Sequence, residues 1–310
     1  MSFLVEILAS AYPPDALNKF TGGSDFGLDN ARTMMWMSQL AYETASESKV
    51  KNIIEKLSMT KRGFAMNDPV TGLPPKSACL VAAGGRNATI IAFAGTDPLK
   101  IEDWITDFTV GFPQPDVLHE GFHAAVGTVW PTVKAIIQSR PPPEQPLFFT
   151  GHSLGGALAI NAAARAQSEL GVTATAVYTF GSPRTGGSKF KADYAPLTER
   201  TFRLVDGDDI VAHVPPRLGG LFCHVGRSLV CPSDGIFDAN TPLSTSEEDR
   251  QDLVRAALDS AIADIRSLAS FRLFRAIGPR LLDRFAVLLP RMVRDHVPAN
   301  YFRALSIPLT

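Results

Sequence analysis

A serine lies between glycines in the stretch PLFFTGHSLGGALAIN, residues 146–161. A short apolar run precedes Gly151 and an alanine-rich run follows Gly155, so Ser153 lies where a buried strand would meet a helix. Such a sharp turn exposes the serine hydroxyl at the carboxyl end of the strand. Because glycine has no side chain, Gly151 and Gly155 would let the strand and the helix pack closely across the turn. The pattern therefore predicts a nucleophilic serine.

A serine hydroxyl does not react at neutral pH unless a base removes its proton and an acid orients that base. In chains with this turn, the acid follows the serine and the base follows the acid. The turn after the strand-like run 200–206 offers three carboxylates, Asp206, Asp208 and Asp209. Position alone predicts that one of them is the acid and does not choose among them.

Two later histidines, His224 and His296, are candidates for the base. His224 lies among apolar residues, as a strand residue would. His296 lies in the loop-like stretch RDHVPANYF. Because a base on a loop reaches the serine more easily, the sequence favours His296 and leaves His224 as the alternative.

The negative oxygen that forms during attack on a carbonyl needs hydrogen-bond donors. We expect the N–H of Leu154 as one donor, because this residue begins the helix that follows Ser153. We expect Thr96 as the other, because it follows the strand-like run IIAFAG and offers both an N–H and a hydroxyl. The alternative for Thr96 is an ordinary turn at the end of a strand.

The elements that must hold these residues alternate between strand-like and helix-like segments. Continuous apolar strands of this kind are typical of a mostly parallel central sheet covered by helices on both faces. We therefore predict a single α/β domain over residues 1–310, with a helical segment 247–294 inserted before His296. The strand-like runs are 78–83, 89–95, 146–151, 175–181 and 200–206, with 221–231 as a further candidate; the helix-like runs are 28–59 (one helix or two), 121–138, 154–170 and 186–193, and 59–75 indicates a hairpin or loop.

The composition limits the classes of partner and compartment. Thirty lysines and arginines against 31 acidic residues give a net charge of −1, so we expect no nucleic-acid partner. We expect no transmembrane segment, and the N-terminus lacks the basic region of a signal peptide. Three cysteines do not indicate a disulfide scaffold. We expect a cytoplasmic protein whose chemistry uses no metal and no cofactor.

Several short motifs resemble those of the class 3, fungal-type lipases, which have the α/β-hydrolase fold. The motifs occur in the family's order between about residues 30 and 302. They read AFAGTD, DWITDF, LHEGF, TGHSLGGALA, TFGSPRTG, DDIVAHVPP and DHVPANYF. The resemblance implies that Asp209 is the acid and His296 the base, and it includes His152 in the nucleophile turn around Ser153.

The resemblance also implies a reaction class. It implies a serine hydrolase that cleaves carboxylic esters of lipids, like a triacylglycerol lipase, through an acyl-enzyme on Ser153. The same residues serve short-chain carboxylesterases, phospholipases A1 and feruloyl esterases, so these substrates stay open. A non-catalytic lipid-binding protein is a more remote alternative, because every position of the catalytic triad is filled.

Two segments are candidates for a lid or an acyl pocket. Residues 97–108 directly follow Thr96, and their apolar residues would share one face of a helix. Residues 267–295 carry a second apolar face together with several arginines, which favours peripheral contact with a lipid interface. The alternative for the second segment is an ordinary amphipathic helix packed on the core. The candidate residues are Ile101, Trp104, Ile105 and Phe108 in the first segment and Phe271 and Phe274 in the second.

Overall fold

The described residues form a seven-stranded sheet with helices packed on both faces. The architecture comes from a computed structural model, which describes residues 7–43, 46–65, 80–85, 88–95, 115–140, 145–215, 221–245 and 291–308. The strands are β1 (Thr60–Ala65), β2 (Leu80–Gly85), β3 (Ala88–Phe93), β4 (Leu147–His152), β5 (Ala176–Phe180), β6 (Thr201–Asp206) and β7 (Arg227–Cys231). The helices are α1 (Leu28–Leu40), α2 (Glu47–Lys56), α3 (Pro115–Gln138), α4 (Leu154–Leu170), α5 (Ser188–Asp193), α6 (Arg291–His296) and α7 (Pro298–Ala304).

The strands follow one another across the sheet in chain order. β1, β2 and β3 pair antiparallel. From β3 to β7 every neighbouring pair is parallel. The prediction of a mostly parallel α/β sheet is therefore confirmed. Among the described residues, no helix is long and apolar enough to cross a membrane.

The chain order of the parallel strands decides which segments cover each face. Crossovers between parallel strands share one hand, so helices that link successive neighbours lie on the same face. α3 and α4 accordingly pack together on one face. The opposite face needs cover from outside these crossovers. α1 and α2 supply it from before the sheet and α7 from after it.

Residues along the inner strands alternate between the two cores. Phe148 belongs to the core under α1, whereas Phe149 belongs to the core under α4, and both are fully buried. Burial on both faces explains why these strands have continuous apolar sequences.

Three sequence predictions had left the structure of a segment open. The run 28–59 forms two helices, and the second begins where the side chain of Ser46 accepts a hydrogen bond from the Lys49 N–H. The first residues of 59–75 form β1, an edge strand whose sequence TKRGFA has little apolar signal because it is partly exposed. The segment 247–294 stays a prediction, since residues 246–290 lie outside the described residues; residues 291–294 are helical in α6.

Trp36 joins the segments that cover the α1 face of the sheet. Its ring centroid lies 5.2 Å from that of Tyr12, before α1, and 4.6 Å from that of Phe302, in α7. The side chain is buried. Trp36 therefore holds α7, the helix directly after His296, against the N-terminal part of the chain.

We predict that Trp36→Ala destabilises the protein by about 3–5 kcal/mol, because it leaves a large cavity between α1 and α7. Urea unfolding followed by circular dichroism measures the change. Lys51→Ala, on the exposed side of α2, is the control and should shift the midpoint little. Equal midpoints for the two variants would contradict the role assigned to Trp36.

Candidate active site

Ser153 lies in a strained turn between β4 and α4. Its φ of 58° and ψ of −132° are unusual for a residue with a side chain. A Cβ atom on Gly151 would lie 2.1 Å from the carbonyl oxygen of Gly155, and one on Gly155 would lie 2.2 Å from that of Phe93. This geometry therefore requires glycine at both positions. The Ser153 N–H donates to the carbonyl oxygen of Phe180 at 2.9 Å, which fixes the turn to the end of β5.

Asp209 follows β6 and is completely buried. Its carboxylate accepts hydrogen bonds from three groups in the described part of the chain. The Val211 N–H lies 2.8 Å from Oδ1, the Tyr301 hydroxyl 2.6 Å from Oδ2, and His296 Nδ1 2.8 Å from Oδ1 and 2.9 Å from Oδ2. These donors come from the turn itself and from two C-terminal helices, so the carboxylate holds separate parts of the chain together.

Electrostatics keeps this carboxylate ionised. Burial raises the pKa of Asp209, but His296 and Tyr301 favour the charged form and hold the pKa below its usual value. Burial and the Asp209 charge together raise the pKa of the Tyr301 hydroxyl well above its usual value. Tyr301 therefore stays protonated and donates to an ionised acceptor.

His296 ends α6 and is buried beside the Ser153 turn. Its ring centroid lies 4.7 Å from that of His152. With Nδ1 engaged by Asp209, Nε2 is the nitrogen left to exchange a proton. Nε2 of His296 and Oγ of Ser153 are both buried, and neither has a hydrogen-bond partner among the described residues. The structure thus brings a hydroxyl, an imidazole and a carboxylate to one edge of the sheet.

The other two carboxylates of the turn have different surroundings. Asp206 accepts from Arg303 Nη2 at 3.0 Å and from the Cys231 thiol at 3.2 Å. Burial raises the pKa of Asp206 to about 6. Asp208 is exposed. Neither forms a described hydrogen bond to His296, so the geometry selects Asp209 among the three candidates.

His224 also lies away from the serine. Its Nε2 donates to the carbonyl oxygen of Ala212 at 2.8 Å. The ring lines a cavity of about 610 Å³ beside β7, whose described lining includes neither Ser153 nor His296. Burial, with the charges of two nearby arginines, lowers the pKa of His224 well below its usual value. The geometry therefore favours His296 as the base.

The predicted oxyanion donors are described only in part. The Leu154 N–H lies at the first residue of α4, directly after Ser153, where the helix dipole favours negative charge. Thr96 lies outside the described residues. Gly95 before it lies close to the serine, because a Cβ on Gly95 would approach the Ser153 Cβ to 3.0 Å. The lid and acyl-pocket candidates also lie outside the described residues; they are Ile101, Trp104, Ile105, Phe108, Phe271 and Phe274.

Sequence analysis did not assign roles to two residues that shape this site. The Tyr301 hydroxyl donates a hydrogen bond to Asp209. The sequence feature that could have identified Tyr301 is its place in the DHVPANYF motif. Asp295 accepts from the Asp208 N–H at 3.0 Å and from the Ser233 hydroxyl at 2.7 Å. The residue before the candidate base is thereby tied to the turn that carries the acid.

Part of the chain matches the sequence profile of one protein family. Residues 90–219 match the sequence profile described as "Lipase (class 3)". A lipase from Rhizomucor miehei is 37% identical over 160 residues, which cover 48% of this chain and 43% of the relative. A secreted mono- and diacylglycerol lipase from Fusarium solani is 32% identical over 142 residues, or 44% of this chain and 41% of the relative. The chain thus spans less than half the length of these curated relatives.

Comparison with solved structures gives the same fold. A Rhizomucor miehei lipase in complex with its propeptide matches with a TM-score of 0.55 at 24% identity, over 71% of this chain and 73% of that chain. Lipase II from Rhizopus niveus matches with a TM-score of 0.55 at 19% identity, over 74% of this chain and 91% of that chain. The chain therefore has the α/β-hydrolase fold, as the sequence predicted.

We predict that Tyr301→Phe destabilises the protein by about 1.5–3 kcal/mol at pH 7, because a buried carboxylate loses a donor. The folded pKa of Asp209 is lowered, so this contribution is complete at neutral pH and is lost as pH falls through that pKa. Urea unfolding of the wild type and of Tyr301→Phe, from neutral pH down through the pKa of Asp209, measures this difference in stability.

Tyr194→Phe is the matched control, because the Tyr194 hydroxyl is also buried but bonds the neutral Thr201 hydroxyl at 2.9 Å. We expect a smaller loss of about 0.5–1.5 kcal/mol that does not change with acidification. Equal losses for both variants at every pH would show that Tyr301 does not stabilise a charge.

Proposed function

We propose that the chain is a serine hydrolase of the class 3 lipase type, which cleaves carboxylic esters of lipids through an acyl-enzyme on Ser153. The observation that carries this proposal is the buried hydrogen bond between His296 Nδ1 and Asp209 beside the Ser153 turn. It leaves His296 Nε2 as the nitrogen that can accept the serine proton.

The acylation step assigns a task to each of the three residues. Ser153 Oγ attacks the carbonyl carbon of the ester while His296 Nε2 removes the hydroxyl proton. Asp209 stabilises the imidazolium that forms and keeps Nδ1 as a donor. When the tetrahedral intermediate collapses, His296 returns the proton to the oxygen of the leaving alcohol, and the acyl group stays on Ser153.

Deacylation repeats the proton transfers with water. His296 removes a proton from a water molecule as the water oxygen attacks the acyl carbonyl, and it then protonates Ser153 Oγ as the fatty acid leaves. Donors at the developing negative oxygen lower both barriers. We assign the Leu154 N–H to this role from its place at the start of α4, and Thr96 from the sequence.

The proposed substrate is an acylglycerol. The relatives named as mono- and diacylglycerol lipase and as lipase support this choice. Ser153 is also completely buried, so an ester needs a local opening before it reaches the hydroxyl. The alternatives are a short-chain carboxylesterase, a phospholipase A1 and a feruloyl esterase.

Two further expectations from the sequence belong to the proposal. Peripheral contact with a lipid interface would come from residues 267–290, where apolar and arginine side chains share one segment. A cytoplasmic location is also proposed, because the sparse, odd number of cysteines fits a reducing compartment. Both concern properties outside the geometry of the site.

We predict that Ser153→Ala abolishes ester hydrolysis and labelling by a fluorophosphonate. His296→Gln should lower kcat by about 10⁴-fold or more, because glutamine cannot act as the base. Hydrolysis of a p-nitrophenyl ester measures both. His224→Gln is the control, because glutamine can still donate to the Ala212 carbonyl, and it should keep activity close to that of the wild type. Loss of activity in His224→Gln with retention in His296→Gln would reverse the assignment of the base.

The substrate class is tested by comparing two esters. We predict a higher rate of acyl release per enzyme from an emulsified long-chain triglyceride than from a soluble short-chain ester, because opening of a buried site is favoured at a lipid surface. Titration of released fatty acid measures both rates, and Ser153→Ala gives the background. Hydrolysis of the soluble ester alone would assign the protein to the carboxylesterases instead.

A further inference from the structure

His152 lies directly before Ser153, and its ring bonds two distant parts of the chain. Nδ1 lies 2.7 Å from the Tyr42 hydroxyl, 110 residues earlier. Nε2 lies 2.7 Å from the backbone carbonyl oxygen of His296, 144 residues later. Both His152 and Tyr42 are buried. One imidazole therefore connects the segment after α1, the nucleophile turn and the candidate base.

The carbonyl partner fixes the tautomer of His152. A backbone carbonyl only accepts hydrogen bonds, so Nε2 must carry the hydrogen. Burial, with the neighbouring His296, lowers the pKa of His152 to about 3, so the ring is neutral at neutral pH and Nδ1 carries no hydrogen. Nδ1 then accepts from the Tyr42 hydroxyl. The hydroxyl can donate or accept, so the carbonyl bond fixes the tautomer, and Tyr42 meets that tautomer as a donor to Nδ1.

The Tyr42 hydroxyl also touches the strand end that leads to Thr96. A Cβ on Gly95 would lie 2.2 Å from this hydroxyl and 2.6 Å from the carbonyl oxygen of His152. Because Gly95 has no side chain, the Tyr42 hydroxyl can occupy this space. Tyr42 is therefore enclosed between the end of β3 and the nucleophile turn, which limits the positions its hydroxyl can take.

The backbone carbonyl of His296 needs a hydrogen-bond donor from outside α6. α6 has six residues, so its last carbonyl groups have no partners within the helix. The side chain of Asn300 satisfies the carbonyl of Arg294. His152 satisfies that of His296. The link joins the base directly to the residue beside the nucleophile, whereas the Asp209 bond holds only the ring.

We propose that Tyr42 and His152 are positioning residues for the catalytic base. Tyr42 donates to Nδ1 and holds the His152 ring in place, and the Nε2–H of His152 holds the His296 backbone at a set distance from Ser153. This role rests on the proposed hydrolase function. Neither residue exchanges a proton with the substrate.

Two substitutions of His152 separate positioning from packing. In His152→Gln, the amide nitrogen can occupy the place of Nε2 and still donate to the His296 carbonyl. In His152→Asn, the shorter amide reaches only the place of Nδ1. We expect kcat for a soluble p-nitrophenyl ester to fall about 10- to 100-fold in His152→Asn, with KM little changed, and most of kcat to return in His152→Gln. Equal kcat values in the two variants would overturn the proposal.

A double-mutant cycle tests the role of Tyr42. Tyr42→Phe should lower kcat in the wild-type background, because Nδ1 loses its donor and the ring is held less firmly against the His296 carbonyl. The same change should have no further effect in His152→Gln, whose amide places no acceptor at the position of Nδ1. Equal losses in both backgrounds would show that Tyr42 acts by packing alone.

Nitrogen NMR provides a readout that does not depend on activity. Long-range proton–nitrogen spectra of the labelled wild-type protein at pH 7 should show His152 as the Nε2–H tautomer, and Tyr42→Phe should move the Nδ1 resonance, because Nδ1 loses its hydrogen-bond donor. An Nδ1–H tautomer or an imidazolium in the wild type would overturn the proposal. Absence of ester hydrolysis in the wild type would reject the hydrolase function instead, and the spectra would still report on the tautomer.

Discussion

A negative charge shut off from water is the constraint on which this structure depends. The Asp209 carboxylate has no exposed surface, and removing an ion from water costs several kcal/mol unless donors replace the solvent. Here the donors are a backbone N–H of the same turn and two side chains from the C-terminal helices, His296 and Tyr301. The charge therefore requires the C-terminal helices to dock at the edge of the sheet. Orientation of the base is a result of satisfying that charge.

The order of the strands makes this docking part of the core. Because α3 and α4 occupy one face, the other face is covered by segments that precede and follow the sheet. Tyr301 and Phe302 are both buried there, Phe302 against Trp36 and Tyr301 against Phe237 and His152. The residues that complete the site are thus core residues as well. Stability and the geometry of the candidate site are properties of one set of contacts.

Local signals made the nucleophile turn and the inner strands predictable. The glycines around Ser153 and the apolar sequences of the strands buried on both faces are each recognisable within a few residues. β1 was harder to predict because an edge strand needs few apolar residues. Three carboxylates within four positions could not be ranked by spacing, since the ion pair of Asp206 with Arg303 and the exposure of Asp208 exist only in the folded chain. Tyr42 had no local signal, because its partner lies 110 residues away.

The position of the base in chain order has a consequence for biosynthesis. β4, β5 and β6 leave the ribosome before α6, so the nascent chain carries Ser153 and Asp209 before it carries His296. Until α6 and α7 emerge, Asp209 lacks two of the three donors described for it, and the sheet edge holds an uncompensated charge. A polypeptide released at that stage has a serine without a base. The proposed hydrolase site would therefore be complete only after translation has passed the last segments that it requires.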